Sequence, residues 1–234
     1  MKLTIVSPAY NEVHNIKVFV EQIEEALSNK TKEFEIIIVD DNSKDGSKEI
    51  LKELNNKFKN FRYIIRQEQP RDLSQSCILG FKNAKFENIL VLDCDLQHKP
   101  SDIQKLINEF ENNNYNIVIG ARKIFSKIES LSIFRQAASI LIILVFNTLL
   151  KKYTSDPMSG FFIFKKQVFT NANKFYGKGF KILIDLIYNS KETIMSKDVF
   201  INFNHRIANK SKMNFKILFY IIDFTVKKFF KRLF

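Results

Sequence analysis

Three short polar clusters in the first hundred residues hold the side chains best suited to chemistry. They are Pro8-Ala9-Tyr10-Asn11-Glu12, Asp40-Asp41-Asn42-Ser43-Lys44-Asp45-Gly46-Ser47 and Asp93-Cys94-Asp95-Leu96-Gln97-His98. Carboxylates accept from N–H and O–H donors, and Tyr10 adds an aromatic face. Carboxylates cannot cradle a diphosphate by themselves, because both partners are anionic, so a divalent cation must stand between them. An all-oxygen donor set selects Mg²⁺ or Mn²⁺. Asp93-x-Asp95-x-Gln97 is the expected metal station, since alternation along an extended chain would set all three on one side. Cys94, between two carboxylates, has its thiolate disfavoured and is not read as a nucleophile.

Each cluster follows an apolar run of strand length, at residues 3–7, 35–39 and 88–92. Apolar residues at helical spacing predict helices over residues 13–27, 45–58 and 73–84. Strands alternating with helices imply βαβ units and a parallel sheet, in which ligands bind beyond the carboxyl ends of the strands. No G-x-G-x-x-G turn and no G-x-x-x-x-G-K-[S/T] loop occurs, which excludes a dinucleotide fingerprint and a P-loop. Cys77 and Cys94 have no C-x-x-C spacing, which argues against structural zinc and a disulfide framework, and a reducing cytoplasm fits.

The 234 residues suffice for one large α/β domain, and the net charge is +12. That charge is uneven: residues 1–100 are net −1, whereas residues 205–234 carry eight basic side chains against one acidic. Residues 214–234, if helical, align Lys216, Tyr220, Asp223, Lys227 and Lys231 on one narrow face, with Ile, Leu, Val and Phe over most of the rest. That pattern fits a helix lying in an anionic membrane interface. Residues 132–150 contain a 14-residue apolar stretch from Ala137, too short to span a bilayer and equally suited to a core helix or a membrane-contact helix. The N-terminus turns polar too early for a signal peptide, and no run approaches the ~20 apolar residues of a spanning helix. A soluble or membrane-surface protein is expected.

In this order the clusters resemble the nucleotide-sugar half of the family 2 inverting glycosyltransferases. Later motifs narrow the resemblance to polyprenyl-phosphate glycosyltransferases of the dolichol-phosphate mannosyltransferase type. These are Arg71-Asp72-Leu73-Ser74-Gln75-Ser76, Ile119-Gly120-Ala121-Arg122, Ser155-Asp156-Pro157-Met158-Ser159-Gly160-Phe161, Gly179-Phe180-Lys181-Ile182-Leu183 and Arg206-Ile207-Ala208-Asn209-Lys210-Ser211-Lys212. Asn209 stands where the family usually has Gly, and Asn tolerates the same left-handed backbone. The pair of C-terminal membrane helices of many relatives has no counterpart, so a compact member is expected. The resemblance implies an α/β, GT-A-like fold, a mostly parallel twisted sheet with flanking helices, and the charge and apolar patterning adds amphipathic membrane-interface helices. The expected division is a catalytic domain, residues 1–212, which the resemblance covers, and a basic amphipathic membrane-interface helix, residues 213–234, read from the tail's own pattern.

By the same resemblance, Pro8, Tyr10, Glu12, Val39 and Asp41 line the base and ribose pocket, and Asp93, Cys94, Asp95 and Arg122 complete the nucleotide-sugar site. Asp95 and Gln97 hold the metal. Arg122, Arg206, Ser211 and Lys212 bind the acceptor phosphate, and Asp93, Asp95, Arg122, Arg206 and Lys212 form the catalytic set. The implied reaction transfers a hexose, mannose ahead of glucose, from a nucleotide sugar such as GDP-mannose to a polyprenyl phosphate. Its expected setting is the cytoplasmic face of an anionic membrane, with room for a separate anchoring subunit. A phosphate acceptor is already largely ionised at neutral pH and needs no general base. A saccharide-hydroxyl acceptor would need one, and residues 151–191 before the basic tail offer Asp156 and Asp185 for that role. The alternatives are therefore a family 2 transferase acting on a glycan hydroxyl and a UDP-glucose-dependent enzyme. A non-enzymatic membrane- or nucleic-acid-binding protein is a third, and nucleic acid is not expected, because Phe gathers with Ile and Leu rather than with the cations across a platform. His98 and His205 read as structural histidines and His14 as a surface residue.

Overall fold

The computed structural model describes residues 1–28, 33–122, 153–172, 175–179, 182–191, 193–202 and 223. His205, Arg206, Ser211, Lys212, the 132–150 segment and, apart from Asp223, the residues of the expected 213–234 helix lie outside them.

Four parallel strands come first, β1 (Lys2–Ala9), β2 (Glu33–Asp40), β3 (Phe61–Ile65) and β4 (Asn88–Leu92). Between them run α1 (Val13–Leu27), α2 (Ser47–Lys57) and α3 (Leu73–Asn83). A 3-10 turn at Pro100–Asp102 leads into α4 (Ile103–Asn112) and then β5 (Ile117–Arg122). The rest comprises β6 (Phe161–Lys165), α5 (Gln167–Thr170), α6 (Ile182–Asn189) and β7 (Ser196–Ile201).

The seven strands form one sheet in the order β3-β2-β1-β4-β6-β5-β7. Its strands read as continuous apolar runs because both faces are covered. Period-two alternation sends Leu3, Ile5, Ile36, Ile38, Leu90, Leu92, Val118, Phe161 and Ile163 to one core, shared with Ile16, Phe19, Ile23, Leu51 and Leu106. It sends Val6, Ile89, Val91, Ile117, Ile119, Phe162 and Phe164 to the other, shared with Cys77, Phe81, Leu183 and Leu186. On that second face α3 lies close to the sheet, and a Cβ at Gly80 would fall 2.3 Å from Val6 Cγ1.

The expected parallel sheet is therefore mostly right, with one reversal. β6 runs antiparallel between β4 and β5, and β7 continues parallel beyond β5. The expected helix at 45–58 runs only from Ser47 to Lys57, because Gly46 before it is left-handed and the Asp45 carboxylate holds a turn, accepting from Ser47 N and Oγ and from Val13 N. Strand order reverses direction between β1 and β4, and ligands of open α/β sheets bind beyond the strands' carboxyl ends at such a switch point. The polar ends of β1, β2 and β4 meet there.

Candidate active site

The β1 and β2 ends are stitched together. Asn11 and Asn42 adopt left-handed backbone, which Asn tolerates. Asn11 N donates to Ser43 Oγ at 2.8 Å, and Lys44 N donates to Asn11 Oδ1 at 3.1 Å. Asp40 holds the same turn, accepting from Ser43 N and Oγ. Glu12 is buried at the start of α1, where its carbonyl accepts from Ile16 N and its carboxylate from Asn15 Nδ2 at 2.7 Å. Val39 is buried under α3. Tyr10 remains half-buried at the rim, with the Arg71 guanidinium 4.2 Å from its ring centroid. That stack engages one face of the ring read from sequence as the base platform.

Asp41 meets a cation that sequence reasoning did not single out. Arg66 Nη1 donates to Asp41 Oδ1 at 2.5 Å, and Asp72 N donates to Oδ2 at 2.7 Å. Arg66 is itself buried, and it also donates to the carbonyls of Glu68 and Pro70. Burial pushes the Asp41 carboxyl above the usual range, against the pull of Arg66. Asp72 is pushed up by burial as well, with Gly179 N and Gln75 N donating to it. No signal in the sequence isolates Arg66, which follows a short strand, β3, with weak alternation.

At the end of β4 the chain turns rather than running on extended, which corrects the expected alternation of Asp93, Asp95 and Gln97. Leu96 sits at φ 58° in the left-handed region, and Gln97 N folds back to donate to Asp95 Oδ1 at 3.1 Å. A bulky side chain there costs roughly 1–2 kcal/mol, offset here by burying Leu96 in the core. Asp95 is buried and Asp93 half-buried. Cys94 donates its thiol to the Pro8 carbonyl at 3.7 Å, tying β4 to β1. Burial, followed by the charges of Glu12, Asp95 and Asp93, holds that thiol well above its ordinary pKa.

Among the described residues no three His, Cys, Asp or Glu side chains form a metal cage. The donor chemistry nevertheless fits Mg²⁺ or Mn²⁺. Asp93, Asp95 and Gln97 offer carboxylate and amide oxygens, and Mg²⁺ commonly takes one or two carboxylates and completes its shell from substrate phosphate and water.

Arg122 ends β5 at the same rim. Its Nε and Nη2 donate to Asp156 Oδ2 and Oδ1 at 2.6 and 2.7 Å, and its backbone N also reaches Oδ2. Burial works against the guanidinium charge, but Asp156 and then Asp93 outweigh it and raise the pKa. Asp156 belongs to a segment anchored by Asp198 of β7, which accepts from Thr154 Oγ1, Ser155 N and Ser155 Oγ. His98 is buried against the Phe161 ring, and burial with the nearby Arg122 charge lowers its pKa to about 4. It is therefore neutral at physiological pH. His14 is exposed.

Asp185, the other acid considered as a base, is buried in α6. It accepts from Tyr176 N at 3.0 Å, Gly177 N at 2.7 Å and Asn189 Nδ2.

Several known proteins are similar to this chain. The chain is 34% identical over 222 residues to a dolichol-phosphate mannosyltransferase of Pyrococcus furiosus, matching 94% of this chain and 61% of that protein. It thus spans less than two thirds of that relative. The Saccharomyces cerevisiae dolichol-phosphate mannosyltransferase is 29% identical, across 93% of this chain and 83% of its own. Among solved structures, mannosyl-3-phosphoglycerate synthase from Rubrobacter xylanophilus superposes with a TM-score of 0.70 at 15% identity, covering all of this chain and 74% of its own. Glucosyl-3-phosphoglycerate synthase from Mycobacterium tuberculosis gives 0.69 at 14%, over 99% and 79%. These likenesses establish the GT-A fold. The sequence also matches the family described as Glycosyl transferase family 2 over residues 4–171. With the motifs at the strand ends and a match over most of its length, the chain belongs to glycosyl transferase family 2.

Proposed function

We propose that the chain transfers a hexose from a nucleotide sugar to a polyprenyl phosphate with inversion at the anomeric carbon, with GDP-mannose as donor. The relatives named dolichol-phosphate mannosyltransferase, matching more than nine tenths of the chain, support the substrate class. One structural observation carries the choice of acceptor. A hydroxyl acceptor needs a base within hydrogen-bond reach of its proton. Asp156 and Asp185 are both buried and engaged, the first by Arg122 and the second by the loop before α6. An ionised phosphate acceptor needs neither.

In this reading the base and ribose lie beside Tyr10, Glu12, Val39 and Asp41, and the diphosphate points to the turn after β4. Asp95 and Gln97, with Asp93 beside them, would hold Mg²⁺ or Mn²⁺, which when bound neutralises charge on the departing diphosphate. A relative in fold, the M. tuberculosis synthase, was crystallised with Mn²⁺ and UDP-glucose. Arg122 receives the acceptor phosphate together with Arg206, Ser211 and Lys212. A guanidinium has five N–H donors, more than the two that Asp156 accepts. The phosphate oxygen attacks the anomeric carbon in line with the leaving nucleoside diphosphate. Positioning and fixed charge supply most of the acceleration.

The basic segment after residue 205 places the enzyme on an anionic membrane surface, at its cytoplasmic face. Among the described residues no helix is long and apolar enough to cross a membrane. Asp223, the one acid of that segment, accepts from Tyr176 Oη at 2.6 Å, so at this residue the segment meets the catalytic domain.

The test is a radiolabelled transfer assay offering GDP-mannose and UDP-glucose in parallel, with polyprenyl phosphate and saccharide acceptors. Mannosyl transfer to polyprenyl phosphate is expected. Transfer to a saccharide hydroxyl with none to the lipid phosphate overturns the reading.

A further inference from the structure

Gly160 stands directly across the sheet from Asp93. Leu92 of β4 pairs antiparallel with Phe161 of β6, so the next position on each chain opposes Asp93 to Gly160. The Asp93 carboxylate occupies the space that a side chain at residue 160 would take. A Cβ built there would lie 2.2 Å from Asp93 Oδ2, 2.7 Å from Cγ and 3.1 Å from Oδ1.

The backbone at this point has little freedom to retreat. Ser159 Oγ donates to the Gly120 carbonyl at 2.8 Å and accepts from Phe161 N at 3.1 Å, and Ser159 N donates to the Asp156 carbonyl. Residue 160 is thus pinned between the end of β5, which carries Arg122, and the end of β4, which carries Asp93.

We infer that the missing side chain of Gly160 seats the Asp93 carboxylate at the donor end of β4, which makes Gly160 a positioning residue of the transfer. The inference rests on the role given to Asp93 above. Its selectivity comes from what the added methyl would meet: its three nearest atoms all belong to the tip of one short side chain. The fold can absorb a methyl by rotating Asp93 about χ1, whereas a donor that relies on that carboxylate cannot.

The test compares wild type, Gly160→Ala, Asp93→Ala and the double variant by thermal unfolding, transfer kinetics and crystallography of Gly160→Ala. The expected Gly160→Ala protein folds, shows Asp93 in a different rotamer and loses about a hundredfold in kcat, the effect of misplacing a site group by about 1 Å. The KM for polyprenyl phosphate should stay unchanged, and the double variant should be no slower than Asp93→Ala alone. If Gly160→Ala lowers Tm, adding Asp93→Ala should restore it. A folded Gly160→Ala with near wild-type kcat, rate losses that multiply in the double variant, a Tm loss that Asp93→Ala does not restore, or an unmoved Asp93 overturns the inference. The Tm and rotamer measurements need no turnover. A wild type that transfers no hexose would therefore count against the proposed function alone, leaving the Gly160–Asp93 contact still to be decided by those two readouts.

Discussion

Arg122 and Asp156 meet fork to fork, through hydrogen bonds of 2.6 and 2.7 Å, although 34 residues separate them. The Asp156 side chain is 1% exposed and that of Arg122 is 38% exposed, so the carboxylate is the buried anchor and the guanidinium reaches the rim. Asp156→Ala removes the anchor and should destabilise the protein by about 2 kcal/mol, less than the 3–5 of a wholly buried pair. Asp156→Asn keeps the shape and one acceptor and should recover part of that loss. Urea unfolding measures the stability, and acceptor KM should rise in both variants as Arg122 loses its fixed orientation.

Asp95→Ala should reduce transfer at least about a hundredfold while leaving the fold intact, since the hydrogen bond from Gln97 N to its side chain is worth only about 1 kcal/mol. Treatment with a chelator should abolish wild-type activity, and added Mg²⁺ or Mn²⁺ should restore it. Near-normal transfer by Asp95→Ala in the presence of chelator would remove the metal from that turn.

Asp41 and Asp72 give a pH dependence with a definite sign. Burial raises both carboxyls in the folded state. The native state therefore holds more protons than the unfolded chain between the ordinary Asp value, about 3.9, and the raised values. Stability should fall as pH rises through that window, opposite to the usual contribution of a salt-bridged Asp. Unfolding free energy measured as a function of pH should show a flatter slope there in Asp72→Asn than in wild type.

Arg206→Ala and Lys212→Ala should each slow transfer by roughly ten- to a hundredfold, the loss of a charged hydrogen bond to phosphate at about 1.5–3 kcal/mol. Unchanged rates in both variants would return the two residues to solvated surface charge.

A chain ending at Asn214 keeps Arg206, Ser211 and Lys212 and should bind donor normally. It should lose much of its association with anionic liposomes, because basic groups near such a surface contribute about 1 kcal/mol each. Equal sedimentation of both chains with those liposomes would make the tail a packed helix.

Local patterning determined a good part of this protein. Strands β1, β2 and β4 and helices α1 and α3 follow from apolar runs and helical periodicity within each segment. The three polar strand ends follow from their positions after those runs, since a short-range pattern needs no knowledge of distant partners. Tertiary structure decided what those groups touch. The insertion of β6 between β4 and β5 depends on pairing with segments about seventy and about forty-five residues earlier, and no local period encodes it. Yet that pairing brings Gly160 against Asp93 and carries the preceding segment, with Asp156, to Arg122. Likewise the turn at Leu96 replaced the expected alternation, and Arg66 became the partner of Asp41, because core burial and long-range ion pairing set the backbone there. Spacing along the chain could nominate these side chains, but their partners were fixed by contacts that form only once the whole sheet has closed.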